Sequence, residues 1–141
     1  QIELDAERNL VDQFLREVMQ THPKATYGEK MVRSALAQGA VHTLLLSEAL
    51  RQRRVGWVCK PCKHEWESTQ KSRSDLPNCP ACDSENIRED PDRTRDLLDE
   101  LSMLAGHTSA KVSLISMDTE EGATMYDAFG GIAAILRYAW S

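Results

Sequence analysis

The chain has 141 residues, 41% hydrophobic and 28% charged, which is the composition of a soluble globular domain long enough to bury about 70% of its unfolded surface. Its net charge of −5 argues against broad nucleic-acid binding through phosphate neutralisation. No apolar run approaches the roughly 20 residues of a membrane span, and the acidic start QIELDAERN carries no secretory signal, so a cytoplasmic protein without membrane contact is expected. The opening at Gln1 rather than Met reads as a piece of something longer.

Apolar periodicity predicts a helix over 2–20, with Leu10, Val11, Phe14, Leu15 and Val18 in one stripe and Ile2 and Leu4 at its start. Pro23 ends it by holding His22 away from helical angles. Thr26-Tyr27-Gly28-Glu29 has the spacing of a capping box, which starts a second helix with Val32, Ala35 and Leu36 facing inward. Gly39 suits the left-handed position after its last turn. VHTLLLS, residues 41–47, is apolar on both faces and predicts a strand covered by helices on both sides. Past the cysteine segment, Asp90 as cap and Pro91 as first residue predict a helix with Leu97, Leu98, Leu101, Leu104 and Ala105 on one face, stopped by Gly106. KVSLISM reads as a strand, and TEEGATMYDAF as a helix capped by Asp118 and Glu121, with Met125 and Phe129 paired at i, i+4. Gly130-Gly131 turns the chain into a last strand, IAAILRY. Strands alternating with helices imply an α/β fold, a three-layer α/β/α sandwich with a mostly parallel sheet. The expected core domain is 23–54 with 90–141, interrupted by a small insertion over 55–89.

All four cysteines lie in CKPCKHEWESTQKSRSDLPNCPAC, residues 59–82, spaced Cys59-x2-Cys62-x16-Cys79-x2-Cys82. Each Cys-x-x-Cys turn sets two sulfurs on one side, and two such turns complete a tetrahedron around Zn2+ at about 2.3 Å per sulfur. Pro61 and Pro80 stiffen the turns, and Lys60 or Lys63 helps hold the thiols as thiolates. Disulfides need an oxidising compartment, and nothing in the chain suggests secretion. Four thiolates can also hold an iron–sulfur cluster, but two symmetric pairs favour zinc. Four ligands close the site, so one structural zinc is expected, and it folds an insertion too small for its own apolar core. His64 is a fifth candidate ligand, with a hydrogen-bonded or surface histidine the preferred reading; Trp57 and Trp66 are expected to pack on the zinc module.

The charge is uneven. Seven basic residues between Arg51 and Arg73 face only Glu65 and Glu67, and eight acidic residues follow from Asp83 to Glu100. Solvated faces are the preferred reading; a basic patch that meets RNA or an acidic protein is the alternative. Asp118, Thr119, Glu120 and Glu121 follow a strand, where open sheets bind ligands. Helix capping is preferred over acid–base or Mg2+ chemistry, because no nucleophile or base accompanies them. Gly130-Gly131 belongs to no phosphate-loop pattern, and His22, His42 and His107 have no partner at catalytic spacing.

TYGEKMVRSALAQGAVHTLLLSEAL, LAGHTSAKVSLISMDTEEGATMYDAFGGIAAILRY and the interposed cysteine pairs resemble one family. It is that of the C-terminal, third domain of archaeal class I peptide chain release factors, related to Pelota. The resemblance covers nearly the whole chain. It implies a protein-binding module of translation termination that recruits a translational GTPase of elongation-factor type and later an ABC-type recycling ATPase. In the full-length factor it implies work on the ribosome, with no direct binding of free nucleic acid. It also implies that residues 1–22 are a linker helix leaving the preceding domain. The family's Gly-Gly-Gln and codon-reading Asn-Ile-Lys-Ser strings lie in other domains and are absent here, where Gly130-Gly131 is followed by Ile132. The chain is therefore expected not to be an enzyme. The resemblance assigns no partner-contact residues. A ribosomal-protein-like RNA-binding domain using Arg51–Arg54, or a Pelota-type ribosome-rescue domain, is the alternative. Pelota is not expected to carry the four-cysteine insertion.

Overall fold

The computed structural model describes residues 2–139, with side chains from Leu4 onward, so Ile2 of the expected stripe lies outside the described side chains. In chain order the elements are α1 (Ile2–Val18), β1 (Ala25–Tyr27), α2 (Glu29–Ala37), β2 (Val41–Ser47), β3 (Arg53–Cys59), β4 (Glu65–Gln70), β5 (Ile87–Asp96), α3 (Leu97–His107), β6 (Lys111–Ile115), α4 (Glu120–Phe129) and β7 (Ile132–Leu136). They divide into two compact units, Arg51–Glu100 and the flanking Gln1–Leu50 with Leu101–Ser141.

The flanking segments build a four-stranded sheet in the order β1-β7-β2-β6. Leu44, Leu45 and Leu46 of β2 are fully buried, as a strand covered on both faces requires. Opposite them in β7 stand Ala134, Ala133 and Ile132, so large side chains of one strand face mostly small ones of the next. On one face Leu45, Ala133 and Ile135 pack with Val11 and Phe14 of α1 and Met125 of α4. The Phe129 ring meets Phe14 and Tyr27 edge-on, with centroids 5.1 and 4.9 Å away. Leu44, Leu46 and Ala134 alternate to the opposite face. In α2, which packs on β7 and β1, Val32, Ala35 and Leu36 are the buried residues.

The mostly parallel sheet is not what forms. Among the described residues, only β2 and β6 of this sheet run parallel; β7 is antiparallel to both β1 and β2. Burial on both faces makes a central strand read as a continuous apolar run whichever way its neighbours point, so VHTLLLS and IAAIL carry no information on direction. The supposed capping box is a second correction. Thr26 pairs with Ala134 within β1, and α2 begins after Gly28, whose φ of 85° no capping Thr supplies. Gly39 does take the left-handed position after α2, at φ 70°.

Arg51–Glu100 holds a three-stranded antiparallel sheet in the order β4-β3-β5, in a segment whose sequence predicts no strands. One face carries Val55, Trp57 and Cys59, all buried, and the Trp57 indole donates to Ser68 Oγ at 2.9 Å. Asp90-Pro91 starts no helix. Gly56 pairs with Asp90 and Arg54 with Arg95, so residues 91–94 bulge out of β5 opposite Val55 alone. The Asp90 carboxylate accepts from the Asp92 amide at 3.1 Å and from Arg93 Nε at 2.9 Å, which is turn chemistry built from the same atoms as a helix cap. Pro91 is tolerated because a bulged residue need not donate to the ladder. A Cβ on Gly56 would sit 2.6 Å from the Arg93 Cβ, so the bulge closes only over glycine. The helix starts instead at Leu97, where Asp96 Oδ1 accepts from the Leu98 amide, and it runs through Gly106 to His107.

Candidate metal centre

Cys59 ends β3, and the chain turns at once. The Cys59 amide donates to the His64 carbonyl and the Lys63 amide to the Cys59 carbonyl, both at 2.9 Å. The second pair repeats the pattern at the same offsets. The Cys79 amide donates to the Ser84 carbonyl at 2.9 Å, and the Asp83 amide to the Cys79 carbonyl at 2.8 Å. In each knuckle the residue after the second cysteine is left-handed, Lys63 at φ 68° and Asp83 at φ 63°. The Lys60 amide donates to the Asn86 carbonyl at 3.0 Å and ties the first knuckle to the chain leaving the second.

The two knuckles bring the four sulfurs within 4.8 Å of one another, with Cys59 and Cys82 at 3.5 Å and Cys62 and Cys79 at 3.6 Å. These are not disulfides, whose sulfurs lie about 2.05 Å apart. A tetrahedron with metal–sulfur bonds of about 2.3 Å has edges of about 3.8 Å, so the quartet fits a four-coordinate thiolate site. Cys59 and Cys79 are buried, while Cys62 and Cys82 are exposed.

Each thiol feels its neighbours. Burial pushes the Cys79 thiol up, but the Ala81 and Cys82 amides and the Cys62 and Cys59 sulfurs outweigh it and bring it down to about 7. The Ser84 amide pulls the Cys82 thiol down, but the Cys59 sulfur, desolvation and the other sulfurs push it up to about 12. The His64 amide draws Cys62 down, yet desolvation and the Cys59 and Cys79 sulfurs leave it above its ordinary value. Negative charge placed on one sulfur is thus opposed at the next, which a central cation relieves.

The remaining sequence candidates do not converge. Among the described residues, the cysteine quartet is the group of three or more His, Cys, Asp or Glu that could hold a metal ion. His64 stacks on Trp66 at 5.7 Å and stays outside the quartet. Trp57 is buried and Trp66 half-buried. Thr119, not Asp118 or Glu121, caps α4: its Oγ1 accepts from the Gly122 amide at 3.0 Å. Glu121 lies 3.8 Å from Arg8, and Asp118 and Glu120 are exposed. His22 and His107 are exposed, and His42 Nδ1 meets Thr43 Oγ1 at 2.7 Å. Sequence reasoning had Lys63 as a cation beside the thiols and missed both its left-handed turn role and Asp83; only the matched offset of each behind its Cys-x-x-Cys pair could have found them.

Sheet order and knuckles together define a mixed α/β domain joined to a four-cysteine ribbon. The protein-family profile described as eRF1 domain 3 matches residues 4–140, and the chain belongs to that family. It is 44% identical over 138 residues to peptide chain release factor subunit 1 of Archaeoglobus fulgidus, covering 98% of this chain and 33% of that protein. The chain thus spans about a third of the length of such curated relatives. The solved C-terminal domain of the peptide chain release factor from Methanosarcina mazei is 41% identical with a TM-score of 0.83, covering 97% of this chain and 85% of that one. A structure described as ribosome-bound archaeal Pelota and ABCE1 shares the fold at 22% identity and a TM-score of 0.56, over 98% of this chain and 28% of that one.

Proposed function

We propose that this chain is the docking domain of a translation termination factor. It recruits a translational GTPase of elongation-factor type and later an ABC-type recycling ATPase, acts on the ribosome in the cytoplasm as part of the full-length factor, and performs no catalysis itself. The match to release-factor domain 3 over residues 4–140 carries this reading. The ribosome and ABCE1 named for the Pelota structure lend it support at the level of fold. Among the described residues no helix is long and apolar enough to cross a membrane. Residues 1–22 serve as the helix arriving from the preceding domain, and the zinc-bound insertion is Arg51–Glu100, wider than the expected 55–89 because β3 and β5 both belong to the ribbon sheet.

Cys59, Cys62, Cys79 and Cys82 hold one structural Zn2+. The metal supplies cross-linking of the two knuckles and no chemistry on a substrate, since four protein ligands leave no open position. The chain's own part is to preset both turns, with Lys63 and Asp83 left-handed and amides aimed at the sulfurs. The test is peptide release from stalled ribosomes by the full-length factor with and without this domain. Removing the domain is expected to abolish stimulation by the GTPase, and this chain alone to release no peptide. Release by the chain alone, or full stimulation without it, would refute the reading.

A further inference from the structure

The ribbon carries a second feature, at the end of the β3–β4 hairpin away from the knuckles. Arg51, Arg53, Gln70, Lys71, Ser72 and Arg73 line a cleft of about 230 Å3. Four of these six residues are cationic and none is acidic. Arg53 is fixed in place, with both Nε and Nη2 donating to Gln70 Oε1 at 3.2 and 2.6 Å and its other hydrogen bonds going to Glu89 at 3.0 and 2.9 Å. Glu89 pairs with Arg53 and also feels the Arg73 charge, so one carboxylate offsets part of the four cations. Lys71 and Arg73 are exposed and enter no ion pair among the described residues.

We propose that this cleft binds a backbone phosphate of structured RNA. Clustered cations repel one another unless an anion sits between them, and a tetrahedral oxyanion can use guanidinium, ammonium and the Ser72 hydroxyl together. No aromatic side chain lines the cleft, so nothing there would stack on the base of a free nucleotide. The cleft recognises the phosphate and leaves the base unread. The chain as a whole carries −5, so contact with a polyanion is confined to this end of the ribbon instead of spreading over the surface. This inference is independent of GTPase docking.

The test is fluorescence anisotropy of a labelled RNA hairpin with the zinc-loaded 141-residue chain, from about 50 to 200 mM KCl. Lys71→Ala/Arg73→Ala is expected to weaken binding about tenfold or more and to lower the slope of log K against log salt by roughly one, the share of a single phosphate. Lys24→Ala/Lys30→Ala removes the same charge from the other unit and is expected to leave affinity within about twofold. Zinc content and circular dichroism confirm that both variants fold. Equal loss in the two variants, or no loss in the first, overturns the proposal. So does a chain that ignores the hairpin yet binds inorganic phosphate or polyglutamate.

Discussion

Lys63 and Asp83 are two ordinary side chains held at left-handed φ so that an amide can close each knuckle. That backbone cost is sustained only if something rigid gains from it, and the four sulfurs are what the turns position. Replacing Cys79 by Ser removes a buried member of the sulfur quartet and, on the proposed zinc reading, should lower zinc affinity more than about a hundredfold, beyond the roughly 10–100-fold typical of an outer partner; competition with a chromogenic chelator reads this directly. Charge at the bulge gives a second residue-scale expectation. The Arg53 hydrogen bonds hold the Glu89 carboxyl below the usual range, and Arg93 does the same for Asp90, helped by the Asp92 amide. A depressed folded pKa adds stability above the unfolded value near 4, and that stability is lost as pH falls through the folded value. The difference in thermal stability between wild type and Asp90→Asn at equal zinc occupancy should therefore be constant from about pH 7 to 5 and shrink below about 4, beneath the separate loss of metal as the thiolates protonate. A difference that does not shrink would remove Asp90 from the account. The cysteines were legible because two Cys-x-x-Cys pairs in one short polar segment suit a shared metal far better than a core or a redox centre. The caps at Thr26 and Asp90 were not, because a Thr or Asp beside a turn uses the same atoms whether a helix follows or not.

At the scale of elements, α1 is held by Phe14 and Val11, both fully buried against β7 and α4. Phe14→Ala should cost about 3–5 kcal/mol by urea denaturation, while Met19→Ala, at 82% exposure, should stay within about 0.5 kcal/mol. Thr119→Ala, which strips the buried cap of α4, should cost about 1 kcal/mol. Strands β2 and β7 could be read from sequence because helices cover both their faces and leave an unbroken apolar run. The ribbon strands could not. EWESTQ in β4 and IREDPDRTRD in β5 are polar, and their stability is drawn from cross-strand pairs and the knuckles instead of apolar periodicity. β1 has three residues, too few for a period to register.

At the scale of the molecule, Trp57 and Trp66, two of the three tryptophans, lie in the ribbon, so chelation of the metal should red-shift and weaken tryptophan fluorescence over a constant part from Trp140. The four-stranded sheet should keep its far-ultraviolet signal under the same treatment, since its core contains no cysteine. Loss of both signals together would mean that the metal folds the whole chain. Helix–strand alternation pointed to the α/β class, but strand direction depends on which neighbours meet across the sheet, and that is decided by contacts far apart in sequence. The release-factor family was legible only through whole strings such as DTEEG and FGGIAAILRY, never through a catalytic constellation. The most direct measurement of the central claim is isothermal titration of the zinc-loaded chain, and of the full-length factor, with the archaeal elongation-factor-type GTPase. Saturable one-to-one binding of the GTPase to the isolated chain, with an affinity close to that of the full-length factor, is the predicted result. No heat of binding with either protein would contradict it.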